Sequence, residues 1–185
     1  MSEAAIGRLR QALDKRADAG AAKLSFWWRD DDLEAPSLAL SDLLKATQDA
    51  GVIPGLAAVS GSITSEAIEA LDGTSARVLP HGWRHRNHEP EGAKKSEYGA
   101  ARPVDDRIAE ITAACDRIEI LAGARALAVF TPPWNNIAVD LLPHLNRSKA
   151  AALSAYCSPG RAPKTAACPR LDTHVDLIDW RGTGG

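Results

Sequence analysis

The chain contains no apolar run approaching the ~20 residues that a bilayer-spanning helix requires, and nothing in it reads as a membrane span. A secretory apolar segment is missing as well: residues 1–20, MSEAAIGRLRQALDKRADAG, form a polar, amphipathic stretch. The expected location is therefore the cytoplasm. Sulfur is scarce, and Cys115, Cys157 and Cys168 are an odd number without a CxxC pair. That argues against a disulfide framework and fits a reducing compartment. The three also lack the spacing of a metal-ligand set. Charge of one sign is absent too: 22 Lys and Arg face 24 Asp and Glu, for a formal charge of −2. Without clustered Lys and Arg to neutralise phosphates, a nucleic-acid partner is not expected. No segment repeats, and none is of low complexity.

What is present is enough apolar material for one core. With 185 residues, 45% of them hydrophobic, the chain reads as a single domain spanning 1–185. A complete eight-fold β/α barrel, at about 250 residues, would be cramped. Apolar spacing by threes and fours predicts helices over Glu3–Ala17, Ser37–Ala50, Ser65–Leu71, Pro103–Leu121 and Ile137–Leu145. The ends of the fourth agree, with Pro103 at its start, Asp105 and Asp106 in the first turn and Gly123 beyond the last. Between the helices, short apolar runs predict strands at Leu24–Trp28, Ile53–Val59, Ala76–Leu79, Leu127–Phe130, Ala151–Tyr156 and Leu171–Ile178. Residues 157–169, CSPGRAPKTAACP, read as one long loop. Alternating strands and helices imply right-handed β/α units on a parallel sheet, either open or curled towards a barrel.

In such folds ligands bind beyond the C-terminal ends of the strands, and polar residues gather there. The first strand runs into Arg29-Asp30-Asp31-Asp32, the third into His81-Gly82-Trp83-Arg84-His85, and the fourth into Thr131-Pro132-Pro133-Trp134-Asn135. The last carries His174, Asp176 and Asp179. Three adjacent carboxylates repel one another unless a cation or basic group offsets them. Taken alone the triplet is equally a helix cap on a solvated turn. His81 and His85, four residues apart, lie on one face of a helical turn and reach a common ion. Two imidazoles and a carboxylate suit zinc with one position open, and other first-row divalent ions as well. Pro-Pro is usually only a stiff turn, but here it sets the Trp134 indole beside the site, where a sugar ring can pack on it. His174, a core histidine on the plain reading, becomes a candidate proton donor at the end of its strand. His88, His144 and the Lys94-Lys95 pair read as surface. Trp27, Trp28, Trp83, Trp134 and Trp180, five of only nine aromatic residues, point to a ligand surface.

These motifs resemble the NodB-like polysaccharide deacetylases, carbohydrate esterase family four. That family carries Thr-Phe-Asp-Asp-Gly after its first strand, His-x-x-x-His about fifty residues on, an Arg-x-Pro-Tyr-like motif, and later Asp-Trp and Leu-x-His motifs. Here Arg29 to Asp32, His81 to His85 (50 residues after Asp31) and Thr131 to Trp134 look like the first three, in order. The resemblance covers roughly residues 24–180. It implies Asp31, His81 and His85 as metal ligands, Asp30 as general base, and Asp176 and His174 as the later orienting and protonating pair. Arg29, Trp83 and Trp134 are the expected substrate contacts. Arg29 and Asp32 replace the Phe and Gly of the first motif. Thr131 stands where the family has the Arg that holds its catalytic base, and Arg29 offers a guanidinium from the other side. The implied fold is a distorted (β/α) barrel of seven or so units; the sixth predicted strand lies close to Gly185, so either a C-terminal piece is missing or the barrel is open.

The function so implied is metal-dependent removal of an N-acetyl or O-acetyl group from a sugar or polysaccharide precursor, with one divalent ion, zinc by default. The ion activates water and carbonyl together, and a carboxylate takes the water's proton. Two other readings fit the same residues. One is a metal-dependent hydrolase of a small non-sugar amide. The other, prompted by the missing motif Arg, is a catalytically silent carbohydrate-binding protein of the same fold.

Overall fold

The computed structural model of the chain describes residues 3–22, 25–157 and 165–176, and strands alternate with helices along it as the apolar spacing predicts. The sequence predicts one domain; the structure divides into two compact units, one of Met1–Phe26 with Val175–Gly185, the other of Trp27–His174. In the first, α1 spans Glu3–Asp18, with Glu3 in its first turn and Lys15 and Arg16 in its last. Those charges oppose the helix dipole at both ends. No described helix is long and apolar enough to cross a membrane.

The second unit holds everything else. Its strands are β1 (Trp28–Leu33), β2 (Pro54–Ala58), β3 (Arg77–Pro80), β4 (Val129–Phe130) and β5 (Ala152–Leu153). Strands β1, β2 and β3 pair in parallel in that order, and so do β4 and β5. A parallel bridge from Val78 to Ala126 carries the pairing from β3 towards β4. Bridges from Leu153 to Arg170 and from Tyr156 to Thr173 carry it beyond β5. The predicted sixth strand is therefore represented by these bridges within its described part; residues 177 and 178, with Asp179 and Trp180, lie outside the described residues, as do 158–164 of the predicted loop. The strands share one direction and form an open parallel succession, with no closed barrel among the described residues.

Helices α2 (Leu38–Asp49), α3 (Ser65–Glu69) and α4 (Val104–Ala122) cover the sheet. Ser37 and Thr64 cap the first two by accepting the N–H groups of Leu40 and Ala67, each cap worth about 1 kcal/mol. The predicted helix at Ile137–Leu145 appears as a 3-10 stretch over Val139–Arg147. Pro143 inside it removes a donor and crowds the preceding turn, which disfavours a regular α-helix. Alternation along the strands sorts the core. Leu56, Ala58 and Val78 join Leu33, Leu40, Leu44 and Ile118 on one face, while Ala57 and Leu79 meet Val129 and Ala152 on the other. A third cluster gathers Tyr98, Ile108, Ile111, Phe130, Leu141 and Leu153. Helix α4 spans two of the clusters, because Ile118 serves the first and Ile108 and Ile111 the third.

One boundary moves. The sequence predicts the first strand at Leu24–Trp28, yet β1 begins at Trp28 and runs through the whole acidic triplet. The ladder to β2 supplies backbone partners there, and basic side chains described below offset the charge. The acidic triplet thus sits on the strand itself.

Candidate metal centre

Strand β1 carries a bulge at the point that matters. Asp30 pairs with Leu56 and Leu33 with Ala58, so Asp31 and Asp32 together stand opposite Ala57. Asp32 takes φ 68°, a left-handed conformation that Asp tolerates better than most residues. Arg29 and Asp31 share a side: Arg29 Nε lies 2.8 Å from Asp31 Oδ1, and Nη2 donates to Oδ2 at 3.0 Å. The same guanidinium donates to Ser154 Oγ beyond β5 at 2.8 Å and to Asn135 Oδ1 at 2.6 Å. Arg29, expected to meet substrate, is instead 4% exposed at its side chain and engaged within the protein.

The carboxylate brought to the two histidines is that of Asp32. His81 Nε2 and His85 Nε2 each lie 3.2 Å from Asp32 Oδ1, and the ligand atoms of the three fall within 4.8 Å of one another. The family resemblance points to Asp31 for this place; the bulge and the positive φ turn Asp32 there, while Arg29 retains Asp31. Nor does a helical turn bring the histidines together. Residues 81–88 form an irregular loop, with Gly82 at φ 65° and His85 at φ 52°. Glu97, absent from the sequence-based set, shapes that loop. It is 1% exposed, and its carboxylate accepts the N–H groups of Trp83 at 3.1 Å and Arg84 at 2.7 Å. A Cβ at Gly82 would come within 2.1 Å of Glu97 Oε2, so only glycine fits between carboxylate and loop. A lone Glu sixteen residues beyond His81 carries no local sequence signal for this role.

The donor set fits a divalent cation. His81 Nδ1 lies 3.1 Å from the Thr131 carbonyl oxygen, an acceptor, so Nδ1 carries the hydrogen. Nε2 is then the ring's lone-pair atom, and it faces a carboxylate oxygen. Two such atoms at 3.2 Å need a positive centre, a proton or a metal ion, between them. The Asp32 carboxyl is held below its usual range chiefly by the hydrogen bond with His81, against the opposing effect of burial. Its side chain is still 62% exposed, so the centre opens to solvent. Asp30 behaves oppositely: burial, then the Asp31 and Asp32 charges, raise its carboxyl. No hydrogen bond or ion pair holds Asp30 among the described residues.

Backbone strain concentrates here. The four non-glycine residues with positive φ among those described are Asp32, His85, Trp134 and Asn135. Two belong to the cluster, Asn135 holds Arg29, and the Trp134 ring packs against His85 at a 53° tilt with centroids 4.3 Å apart. Such conformations cost about 1–3 kcal/mol each and persist where surrounding contacts over-determine them. Trp134 thus packs on a candidate ligand, with Lys95 Nζ 5.9 Å from its ring centre. Trp83 is partly buried, with its backbone N–H on Glu97. His174 is exposed and makes no hydrogen bond or ion pair among the described residues, and it is not grouped with the cluster. Asp176 belongs to the other compact unit. Thr131 is buried and supplies its carbonyl to His81 in place of any side-chain contact to the carboxylates.

Neither a family model nor a curated protein matches the sequence. Solved structures do. A polysaccharide deacetylase structure from Mycobacterium smegmatis matches with a TM-score of 0.57 at 14% identity, covering 89% of this chain and 69% of its own. The BpsB deacetylase domain from Bordetella bronchiseptica matches at 0.54 and 14%, covering 91% and 79%. The chain shares the fold of these two structures. A family 4 carbohydrate esterase from Streptomyces lividans, in complex with acetate, matches at 0.53 and 14%, covering 74% of this chain. The chain spans 65% of that esterase's length, just under two thirds.

Proposed function

We propose that the protein is a metal-dependent hydrolase that removes an acetyl group from an acetylated sugar. The observation that carries this reading is the Asp32, His81 and His85 cluster at the C-terminal edge of a parallel sheet, beside an Asp31 gripped by Arg29. The deacetylases and the esterase that share the fold support the same reaction class. Asp32, His81 and His85 are the residues that would hold the ion, zinc in this proposal. A divalent ion there supplies Lewis acidity, which acidifies water and polarises a carbonyl.

The chain's own groups do the rest. Asp31 is the general base, one residue along from the position the family motif indicates, since Asp32 occupies the ligand place. The Asp31 side chain is 27% exposed, so the carboxylate is within reach of water. Arg29 fixes the carboxylate's orientation through its contacts to both oxygens. Asp31 takes a proton from the attacking water as the new C–O bond forms at the acetyl carbonyl. The bond to the sugar nitrogen (or oxygen) then breaks, and Asp31 returns the proton to the departing group. Acetate and a free amine or hydroxyl result. His174 is the alternative proton donor, and comparison of His174→Ala with Asp31→Asn separates the two.

The test is acetate release from N-acetylglucosamine oligomers by zinc-loaded protein, beside His81→Ala prepared identically. Release that stops in the variant and on chelation supports the reading. A protein that binds one zinc per chain and releases no acetate from N- or O-acetylated sugars overturns it.

A further inference from the structure

The loop that places His85 also builds a second feature, unused by the chemistry above. A hollow of about 260 Å³ opens beside it, lined by Trp83, Arg84, Arg86, His88, Glu97 and Glu110. Arg84 and Arg86 are exposed, and neither guanidinium makes an ion pair or hydrogen bond among the described residues. Arg29, Arg102, Arg107, Arg125 and Arg147, by contrast, each pair with a carboxylate. The acids of the hollow are already engaged. Glu97 takes two backbone N–H groups, and Glu110 takes both prongs of Arg102, at 2.8 and 2.5 Å. The charge left unmatched is therefore positive.

We propose that Arg84 and Arg86 form an oxyanion subsite, and that the substrate is an acetylated sugar bearing a phosphate or carboxylate. This rests on the deacetylase reading and names its substrate class. The two arginines flank His85 in the chain, on the same irregular loop. An anion held between them lies on the loop that carries His85, one residue away along the chain on either side. The planar guanidinium fork matches an oxyanion's geometry in a way a lone ammonium does not. The surroundings agree: apart from Arg102, paired with Glu110, residues 81–102 carry Arg84, Arg86, Lys94 and Lys95 against Glu89, Glu91 and Glu97, in a chain whose net charge is −2. Lys95, above the Trp134 ring that packs on His85, adds a further cation. Such a local field draws an anionic ligand towards the site. The hollow is smaller than the usual range for drug-sized ligands, as suits a single charged substituent or sugar unit.

The experiment measures binding and turnover in parallel on zinc-loaded protein at low salt, with N-acetylglucosamine, N-acetylglucosamine 6-phosphate and N-acetylmuramate. Titration calorimetry is expected to show one of the charged sugars bound about ten-fold or more tightly than the neutral one. In Arg84→Gln/Arg86→Gln, whose side chains hold nothing else in place, that ratio is expected to fall to near one. High salt is expected to lower it in the wild type. The charged sugar preferred decides between phosphate and carboxylate. Equal affinities in the wild type, no binding of either charged sugar, or a preference that survives in the double variant would overturn the subsite. Acetate release reports separately: tight, arginine-dependent binding without acetate from any sugar keeps the subsite and rejects the deacetylase. Acetate release with no charge preference does the reverse.

Discussion

Arg29 and Asp31, two residues apart on one strand, form a two-pronged ion pair, with Nε 2.8 Å from Oδ1 and Nη2 3.0 Å from Oδ2. In the proposed mechanism this pair would do within β1 what the resembling family's motif Arg does from the place of Thr131. Asp31→Asn is expected to lower kcat by about 10²–10⁴ while metal content stays unchanged. Arg29→Lys keeps the charge and loses the fork, so it is expected to lower kcat more than it raises KM. An Asp31→Asn enzyme with full kcat would remove Asp31 from the base role.

Which carboxylate would hold the proposed ion is decided by comparing three neighbours. Asp32→Ala is expected to lose the bound ion, as is His81→Ala, whereas Asp30→Asn and Asp31→Asn retain it. Elemental analysis of the four proteins, loaded with zinc and desalted together, makes the comparison. Metal lost from Asp31→Asn and kept by Asp32→Ala would restore the ligand that the family motif suggests.

That one-residue difference shows where the sequence is legible and where it is not. Strand and helix alternation is written in apolar spacing, and β2, β3, α2 and α4 fall close to their predicted places. The grouping of His81 and His85 at a strand end is legible for the same reason. Three adjacent Asp residues, however, fit the family's pair of acids in two registers. The choice depends on a bulge opposite Ala57 and on φ 68° at Asp32, and neither leaves a mark in side-chain hydrophobicity. Arg29 reads as a substrate contact because its distant partners Ser154 and Asn135 come from elsewhere in the chain. Glu97 is silent because its role is to accept two backbone N–H groups, which any loop offers.

Glu97 holds the loop between two candidate ligands, so its loss should act on metal binding at a distance. Glu97→Gln preserves size but presents an N–H₂ group to one of the two backbone donors, which must then break away. Zinc affinity is expected to fall about ten- to hundred-fold, the usual range for residues that orient ligands. Competition with a chromophoric chelator measures it. A folded variant with unchanged zinc affinity would leave Glu97 a purely structural residue.

Arg107 has a different use. It is 1% exposed, and its guanidinium donates to both oxygens of Asp140, at 3.2 and 2.7 Å, which ties α4 to the 3-10 stretch. The hydrogen bonds from Arg107 hold the Asp140 carboxyl below its usual range. A lowered folded value means that the unfolded chain binds the proton more readily. This contribution is therefore present above the unfolded carboxylate value, near 4, and is lost as pH falls through the folded value. Asp140→Asn is expected to lower stability by about 0.5–1 kcal/mol at pH 7, since the Asp140 side chain is 46% exposed and solvent screens the pair, with the gap to wild type narrowing in acid. Denaturant unfolding at pH 7 and pH 3 checks it, and a gap that widens in acid would contradict the assignment.

The cysteines divide by environment. Burial pushes the Cys115 thiol up to about 12, with the Asp116 charge adding to it. The Cys168 thiol is raised too, mainly by burial, though Cys168 is only partly covered. Reactivity requires both a thiolate and access. Alkylation by iodoacetamide at pH 8 is therefore expected to label Cys168 slowly and to leave Cys115 unmodified until the protein is unfolded. Mass spectrometry of peptides from native and denatured samples reads both sites. Native labelling of Cys115 as fast as Cys168 would mean that α4 lifts from the third core cluster, and the burial that sets its thiol value would not hold in solution.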